Sequence, residues 1–375
     1  MLTLSHSTGK MTQSILERYP QVRANPMAMA MLCTELLNRQ LYDDAFSLGV
    51  AAASAAPHDM AVRDLVSSTL GRGVPKWHVP MLHDLQRNDC YAEALRRIVR
   101  PGMTILEIGS GAGFLSLIAA RLGANVYTCE ANPVVAAAAK FIALRNGLSH
   151  RIHVIPKLSS HLEIGVDLPR KADLLMSELF DDTLFGDGII SYIREARERF
   201  LMPDAAVVPQ HAELRLRLVT FNLPTKHQPL ARIAGFDLSP FNVLAPRSSS
   251  YLRAAKLGAL PLSEPISALA KNFSEASPFG RDVDDVKLRS YGGAATGISQ
   301  WLRIRFSDDL VFENDPEQSP ASHWGSPVTI FDRERPTSLE EEVRVRVRRF
   351  GREILYDMST NLEPYETSVR VGLGG

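Results

Sequence analysis

Ile105-Leu106-Glu107-Ile108-Gly109-Ser110-Gly111-Ala112-Gly113 decides the fold. An apolar run breaks into alternating glycines, which reads as strand, tight turn and helix start. Glycine is needed where the chain turns sharply and a ligand approaches the backbone with no Cβ in the way. The third glycine comes one residue earlier than in the dinucleotide pattern G-x-G-x-x-G, which weakens a nicotinamide or flavin reading. No Gly-Lys-Ser/Thr is present to cradle phosphates, which removes nucleoside triphosphate hydrolysis. Glu130 stands about twenty residues past the turn, where an acid accepts hydrogen bonds from ribose hydroxyls. The competing reading of Glu130 is a charge beside the amino end of the following helix. A glycine turn with a ribose acid and no phosphate feature points to S-adenosylmethionine, whose sulfonium and amino-acid tail replace phosphates.

Outward from this motif, Trp77 to about Pro209 alternates short β runs with helices, the pattern of a parallel sheet with crossover helices. Strands are expected at Met103 to Ile108, Asn125 to Cys129, Ile152 to Ile155 and Ala172 to Met176. Helices are expected from Phe114 to Leu122 and from Pro133, with Asn132 as cap, to Asn146-Gly147. From Met11 to Gly73 the periodicity is helical, and Leu32, Tyr42, Ala45, Ala52 and Pro57 resemble the spacing of a tetratricopeptide repeat with its turn at Asn38-Arg39-Gln40. About one and a half repeats are too few for a free solenoid, so the segment is expected to pack on the next domain. Past Val208-Pro209 the pattern is mostly β, with short runs at Glu213 to Thr220, Gln300 to Phe306, Pro327 to Phe331 and Glu342 to Phe350, suggesting a barrel or sandwich. Ala- and Leu-rich Tyr251 to Phe273 reads as an inserted arm or loop whose apolar residues need a partner to bury them. The expected fold is α/β, with a helical extension over 1–74, a Rossmann-like cofactor domain over 75–208, and a β-barrel-like domain over 209–375 with an arm near 235–280.

Lys plus Arg and Asp plus Glu are 42 each, so the formal charge is zero and no global footprint of a nucleic-acid binder exists. Arg344-Val-Arg346-Val-Arg348-Arg349 reads first as a strand with one solvated face. Cys33, Cys90 and Cys129 are scattered, which argues against a disulfide framework and a zinc site and fits a reducing, cytoplasmic setting. No run has the roughly 18 apolar residues of a membrane span.

Two further stretches carry chemistry. Met176 to Gly188 follows a strand and bears Glu178, Asp181, Asp182 and Asp187, a receptor for a cation, with forked and permanently charged guanidinium as its natural guest. Asp181 and Asp182 read first as solvated loop acids, with assistance to the pocket as the alternative. In the segment from Trp77 to Tyr91, His78, Met81, Asp84 and Arg87 recur every third residue, beside one another on a helical segment. Arg87 can bind a carboxylate bidentately, and Met81 can lie against an adenosyl or thioether group.

Glu107 to Gly111, the His78/Met81/Asp84/Arg87 segment, Glu130, the Ser177-Glu178 to Asp187 loop and Ser322-His323-Trp324 together resemble the protein arginine methyltransferase family, in that family's order. The resemblance implies methyl transfer from S-adenosylmethionine to an arginine guanidino nitrogen of a protein or peptide, and a dimerisation arm. Residue by residue it implies Arg87 as the carboxylate-binding Arg, His78, Met81, Glu107, Gly109, Gly111 and Glu130 as further cofactor contacts, and Ser159 near the adenine position, where many members have Glu. Glu178 matches the first acid of the family's double-glutamate loop, and Asp187 stands where the second is Glu. Asp84 and His323 match the carboxylate and imidazole pair beside the substrate pocket, and Ser322-His323-Trp324, with Trp324 toward substrate, replaces Thr-His-Trp. Glu178-Leu179-Phe180-Asp181 and the glycine-rich run from Gly292 to Trp301 are most similar to the monomethylating or symmetric-dimethylating branch. Two alternatives remain at this stage: an acceptor that is a small guanidine or amine, and a non-catalytic scaffold with a vestigial fold.

Overall fold

The computed structural model describes residues 15–186, 188–224, 228–244, 248–275, 282–319, 322–351 and 353–358, with the backbone alone at 248–251 and 332. Asp187 therefore lies outside the described residues. Among the described residues, a helical stretch over 15–18 and a 3-10 turn (Pro20–Val22) lead into α1 (Pro26–Asn38), α2 (Tyr42–Ala55) and α3 (Met60–Leu70). Asn25 caps α1 by accepting from Ala28 N at 3.0 Å with Pro26 at the first position, and Asp59 caps α3 through Val62 N at 3.2 Å. The expected turn at Asn38-Arg39-Gln40 forms, with Gln40 in the left-handed region. Met29, Ala30, Cys33, Leu36, Ala45, Leu48, Ala52 and Val62 bury one another in a core of their own.

A parallel sheet follows, with strands β1 (Thr104–Ile108), β2 (Asn125–Cys129), β3 (Ile152–Ile155), β4 (Ala172–Ser177) and β5 (Leu201–Val208) in the order β3-β2-β1-β4-β5. Its helices are α4 (His78–Leu82), α5 (Leu85–Ile98), α6 (Phe114–Arg121), α7 (Pro133–Arg145) and α8 (Ile189–Arg199). Asn132 caps α7 through Val134 N and Val135 N, as the sequence predicts. The helical segment leans on α7: Phe46 meets Phe141 edge to face at 5.6 Å, and Lys140 Nζ is 3.0 Å from Asp43. Because β1 has β2 on one side and β4 on the other, the loops after all three strands open at one crevice.

Two expectations need correction here. The His78 to Arg87 segment is not one helix: it breaks between α4 and α5, and Asp84 is the cap of α5, accepting from Arg87 N at 3.2 Å. A capping carboxylate requires non-helical backbone, so an Asp inside an apparent three-residue period marks a helix start.

Tyr251 to Phe273 is not an arm either. It supplies β9 (Ser248–Arg253), the short helix α9 (Ala254–Leu257), β10 (Leu260–Pro261) and β11 (Ile266–Asn272), and buries Leu252, Ala254, Leu262, Ala268, Leu269 and Phe273. The exposed apolar element lies just upstream, within the wider 235–280 estimate only in part. It is the hairpin β7 (Arg232–Ile233) to β8 (Phe236–Asp237) with a turn over Ser239–Leu244, where Phe236, Phe241, Val243 and Leu244 are all more than 60% exposed.

The remaining sheet is antiparallel and barrel-like, formed with β6 (His211–Thr220), β12 (Val283–Ser307), β13 (Leu310–Glu313), β14 (Pro327–Phe350) and β15 (Glu353–Asp357). The short runs expected at Gln300 to Phe306, Pro327 to Phe331 and Glu342 to Phe350 are parts of two strands, 25 and 24 residues long. Register shifts between Arg289 and Tyr291 and between Ala295 and Gly297 bend that ladder and break the period of two that sequence reading relies on. The Arg344 to Arg349 run is the half-solvated strand expected, with Val343, Val345 and Val347 buried while Arg346 pairs with Asp285 and Arg349 with Asp282. Among the described residues no helix is long and apolar enough to cross a membrane, and no group of His, Cys, Asp and Glu is placed to hold a metal ion.

Candidate active site

The glycine turn fixes the first wall. Gly109 and Gly111 have φ of 83° and 49°, in the region that favours glycine. A Cβ at Gly109 would come 2.7 Å from Leu179 Cδ2, so the turn and the acidic loop are in contact. A cavity of about 370 Å³ opens over this turn. Its lining gathers His78, Met81, Arg87, Glu107, Gly109, Gly111, Glu130, Ser159 and Glu178, which the sequence reading proposed from five separate segments.

Each wall has a local cause. Glu130, just past β2, accepts from Gly111 N at 3.1 Å and Asn132 N at 2.9 Å, so its carboxylate is aimed back over the turn. Glu107 is 2% exposed and receives the Ser116 hydroxyl, and burial pushes its carboxyl up to about 7. Burial also lowers His78, against the pull of Glu130. Met81 is buried beside Gly111. Ser159 is buried with an Oγ that has no hydrogen-bond partner, on the lining of the cavity. A buried hydroxyl without a partner is destabilising and suits a polar ligand edge.

At the inner end Arg87 is nearly fully buried. Its Nη2 donates to Glu178 Oε2 at 2.5 Å and its Nη1 to Asn88 Oδ1 at 2.7 Å, while its Cζ lies 5.0 Å over the Tyr91 ring. The carboxylate-binding candidate and the first acid of the cation loop are thus one ion pair. Beside them, Asp84 accepts from Ser322 Oγ at 2.9 Å and from His323 N at 3.1 Å, with His323 Nδ1 at 2.9 Å. Burial works to raise its carboxyl, but these hydrogen bonds outweigh it and hold Asp84 at about 2.

The loop after β4 is shaped from within and from the barrel. Asp181 accepts from Thr183 N at 2.9 Å, Thr183 Oγ1 at 2.7 Å and Gly186 N at 3.0 Å, and a Cβ at Gly186 would fall on its carboxylate. Asp182 is half-buried, and burial with the neighbouring Asp181 lifts its carboxyl to about 6. Neither is the solvated loop acid expected. Trp324 Nε1 donates to Phe180 O at 3.1 Å and Gln300 Nε2 to Asp182 O at 3.0 Å, so two barrel side chains hold the loop by its backbone. Trp324 is buried among Phe180 and Phe312, away from the cavity lining. Gln300 was missed in the sequence, where nothing marks it beyond its place in the run ending at Trp301.

Chemically, the arrangement offers an anchor for a carboxylate, a turn open to a nucleoside, and an acidic loop in direct contact with that anchor through Glu178. Comparisons with known proteins agree with it. The family model of ribosomal protein L11 methyltransferase matches residues 89–185. Among solved structures, the arginine methyltransferase PRMT1 enzyme-prozyme complex of Trypanosoma brucei superposes with a TM-score of 0.66 at 19% identity, covering 76% of this chain and 94% of that one. Arabidopsis thaliana protein arginine methyltransferase 10 superposes at 0.60 with 20% identity, over 72% and 86%. Among curated proteins, protein arginine N-methyltransferase 7 of Drosophila melanogaster is 31% identical over 268 residues, which are 66% of this chain but only 38% of that longer protein. The arginine N(omega)-methyltransferase of Streptomyces achromogenes is 31% identical over 299 residues, 79% of this chain and 82% of that one. Likeness along most of both chains, joined to the fold and the cavity, means that the chain belongs to the arginine N-methyltransferase family.

Proposed function

We propose that the chain transfers a methyl group from S-adenosylmethionine to a guanidino nitrogen of arginine, with a protein or peptide arginine as acceptor. The observation that carries this is the Arg87–Glu178 pair, which joins the anchor for an amino-acid tail to the loop that would receive a guanidinium. The cavity suits the cofactor: glycines leave room over the turn, Glu130 faces a ribose, Ser159 offers an unpartnered hydroxyl at the adenine end, and Arg87 takes the carboxylate. Bound there, S-adenosylmethionine supplies an electrophilic methyl on a sulfonium.

The chain's own residues do the rest. A guanidinium is a poor nucleophile, protonated at any pH below about 12 with its lone pairs delocalised. Glu178, with Asp187 as second acid, grips the ion, draws positive charge away from the reacting nitrogen and aims it. Positioning and preorganised charge supply most of the acceleration. Asp84 orients His323, which takes the released proton, and Trp324 and Gln300 hold the acidic loop against the barrel.

A second reading, free arginine as acceptor, is favoured by the Streptomyces relative, whose name carries no mention of protein. Calorimetry with S-adenosylhomocysteine is expected to give saturable binding. Labelled methyl groups are then expected to enter an arginine-rich peptide, with mass spectrometry giving the acceptor and methyl count; transfer into free arginine alone would select the second reading. No cofactor binding would leave the scaffold alternative.

The exposed apolar hairpin is proposed as the seat of a homodimer. Six large apolar residues between Ile233 and Leu244 are exposed, an arrangement single chains rarely leave in water. Light scattering is expected to give twice the chain mass, reduced to one in the double variant Phe236→Asp, Phe241→Asp; a wild-type monomer would refute the dimer.

A further inference from the structure

Arg253 is a charged group near the site that the mechanism above leaves unused. It ends β9, is half-buried, and its guanidinium is laid against the backbone of Gly325: a Cβ at 325 would stand 2.4 Å from Cζ and Nη1 and 2.6 Å from Nε. Gly325 is two residues beyond His323, a span of at most about 7 Å. The charge of Arg253 is also felt at Asp182, whose carboxyl it lowers against the effect of burial. The guanidinium therefore stands against the Ser322 to Gly325 loop, and its charge reaches the Glu178 to Gly186 loop, the other segment that frames the acceptor in the proposed mechanism.

Several arginines in this barrel are paired. Arg217 has Asp315 at 2.8 Å and Glu317 at 2.9 Å, and Arg346 has Asp285 at 2.6 Å. The Arg253 guanidinium has no hydrogen bond or ion pair with any described residue. A planar fork of donors, half out of water and unsatisfied, matches a carboxylate in geometry and charge. Resting on the methyltransferase reading, we propose that Arg253 docks a carboxylate carried by the acceptor. That carboxylate is either the α-carboxylate of arginine itself or the side chain of an acidic residue next to a protein arginine. Arg253 thus sets specificity and takes no part in the methyl transfer.

Two matched pairs of acceptors isolate the carboxylate. L-arginine and agmatine share a guanidine and differ by the α-carboxylate; capped Gly-Arg-Gly and Asp-Arg-Gly peptides differ by an acidic neighbour. Affinities are measured by calorimetry on the full chain with S-adenosylhomocysteine present. The carboxylate-bearing member of one pair is expected to bind about tenfold or more tightly, and the pair that does so names the source. Arg253→Gln is expected to bring that preference within about twofold, Arg253→Lys to keep part of it, and Gly325→Ala, which displaces the guanidinium, to weaken it.

Equal affinity within both pairs for the wild type would overturn the proposal whether or not a variant folds. So would a preference that survives Arg253→Gln, or no guanidine binding at all. S-adenosylhomocysteine is titrated first on the same sample, and its failure to bind would mean that the methyltransferase reading itself had fallen.

Discussion

Glu178→Gln is expected to lower methyl transfer by about 10²–10³-fold while S-adenosylhomocysteine still binds. Glu178 and Arg87 are both nearly fully buried and their contact is short. Glutamine keeps the size and one hydrogen-bond acceptor but removes the charge that polarises a bound guanidinium. The same change withdraws the counter-ion of Arg87, and removing one partner of a buried pair costs about 3–5 kcal/mol, less where an acceptor oxygen remains. The variant without cofactor should therefore melt at a lower temperature than the wild type. A cofactor carboxylate would restore a negative charge beside Arg87, so S-adenosylhomocysteine should raise the variant's melting temperature more than it raises that of the wild type. Transfer within tenfold of wild type would remove Glu178 from the reacting centre. An equal thermal shift in both proteins would separate Arg87 from the cofactor's tail.

The parallel sheet was legible because each of its signals is local. A glycine turn, an Asn-Pro helix start and short apolar runs name their own conformations, and four of the five strands fall within a residue of where they were expected, β5 being the one not foreseen. The cavity wall was legible for a related reason: in this topology the ends of β1, β2 and β4 are brought to one crevice, so residues at strand ends converge whatever the helices between them do. The barrel was less legible, since its long strands carry bulges that interrupt the alternation, and the apolar run mistaken for an arm is buried by sheet partners distant in sequence. Gln300 and Arg253 escaped notice because neither belongs to a motif; each matters only through a loop that the fold lays across it. Asp181 was misread although an Asp followed two residues later by Thr is a recognisable turn former.

Asp84→Asn is expected to destabilise the protein by about 2 kcal/mol at pH 7 and to lower kcat/KM by about a hundredfold. One carboxylate here serves two parts of the molecule: it caps the helix that carries Arg87 and receives the Ser322-His323 backbone and side chains arriving from the barrel. Asparagine offers a single acceptor oxygen and turns an N–H₂ toward one of those donors, so either the cap or the loop must give way. Displacement of Arg87 or His323 by about 1 Å is enough for the rate loss. The pH dependence identifies the cause. The folded carboxyl titrates at about 2 against an ordinary 3.8, so the native state favours the ionised form. Its contribution is fully present above pH 4 and disappears as pH falls toward 2. The stability gap between wild type and Asp84→Asn should therefore be widest near neutrality and narrow over that interval, as read by urea unfolding at pH 7 and pH 3. A gap that stays constant with pH would assign the loss to packing rather than to the charge. An unchanged rate would mean that the Arg87 helix and the His323 loop keep their positions without the carboxylate that now joins them.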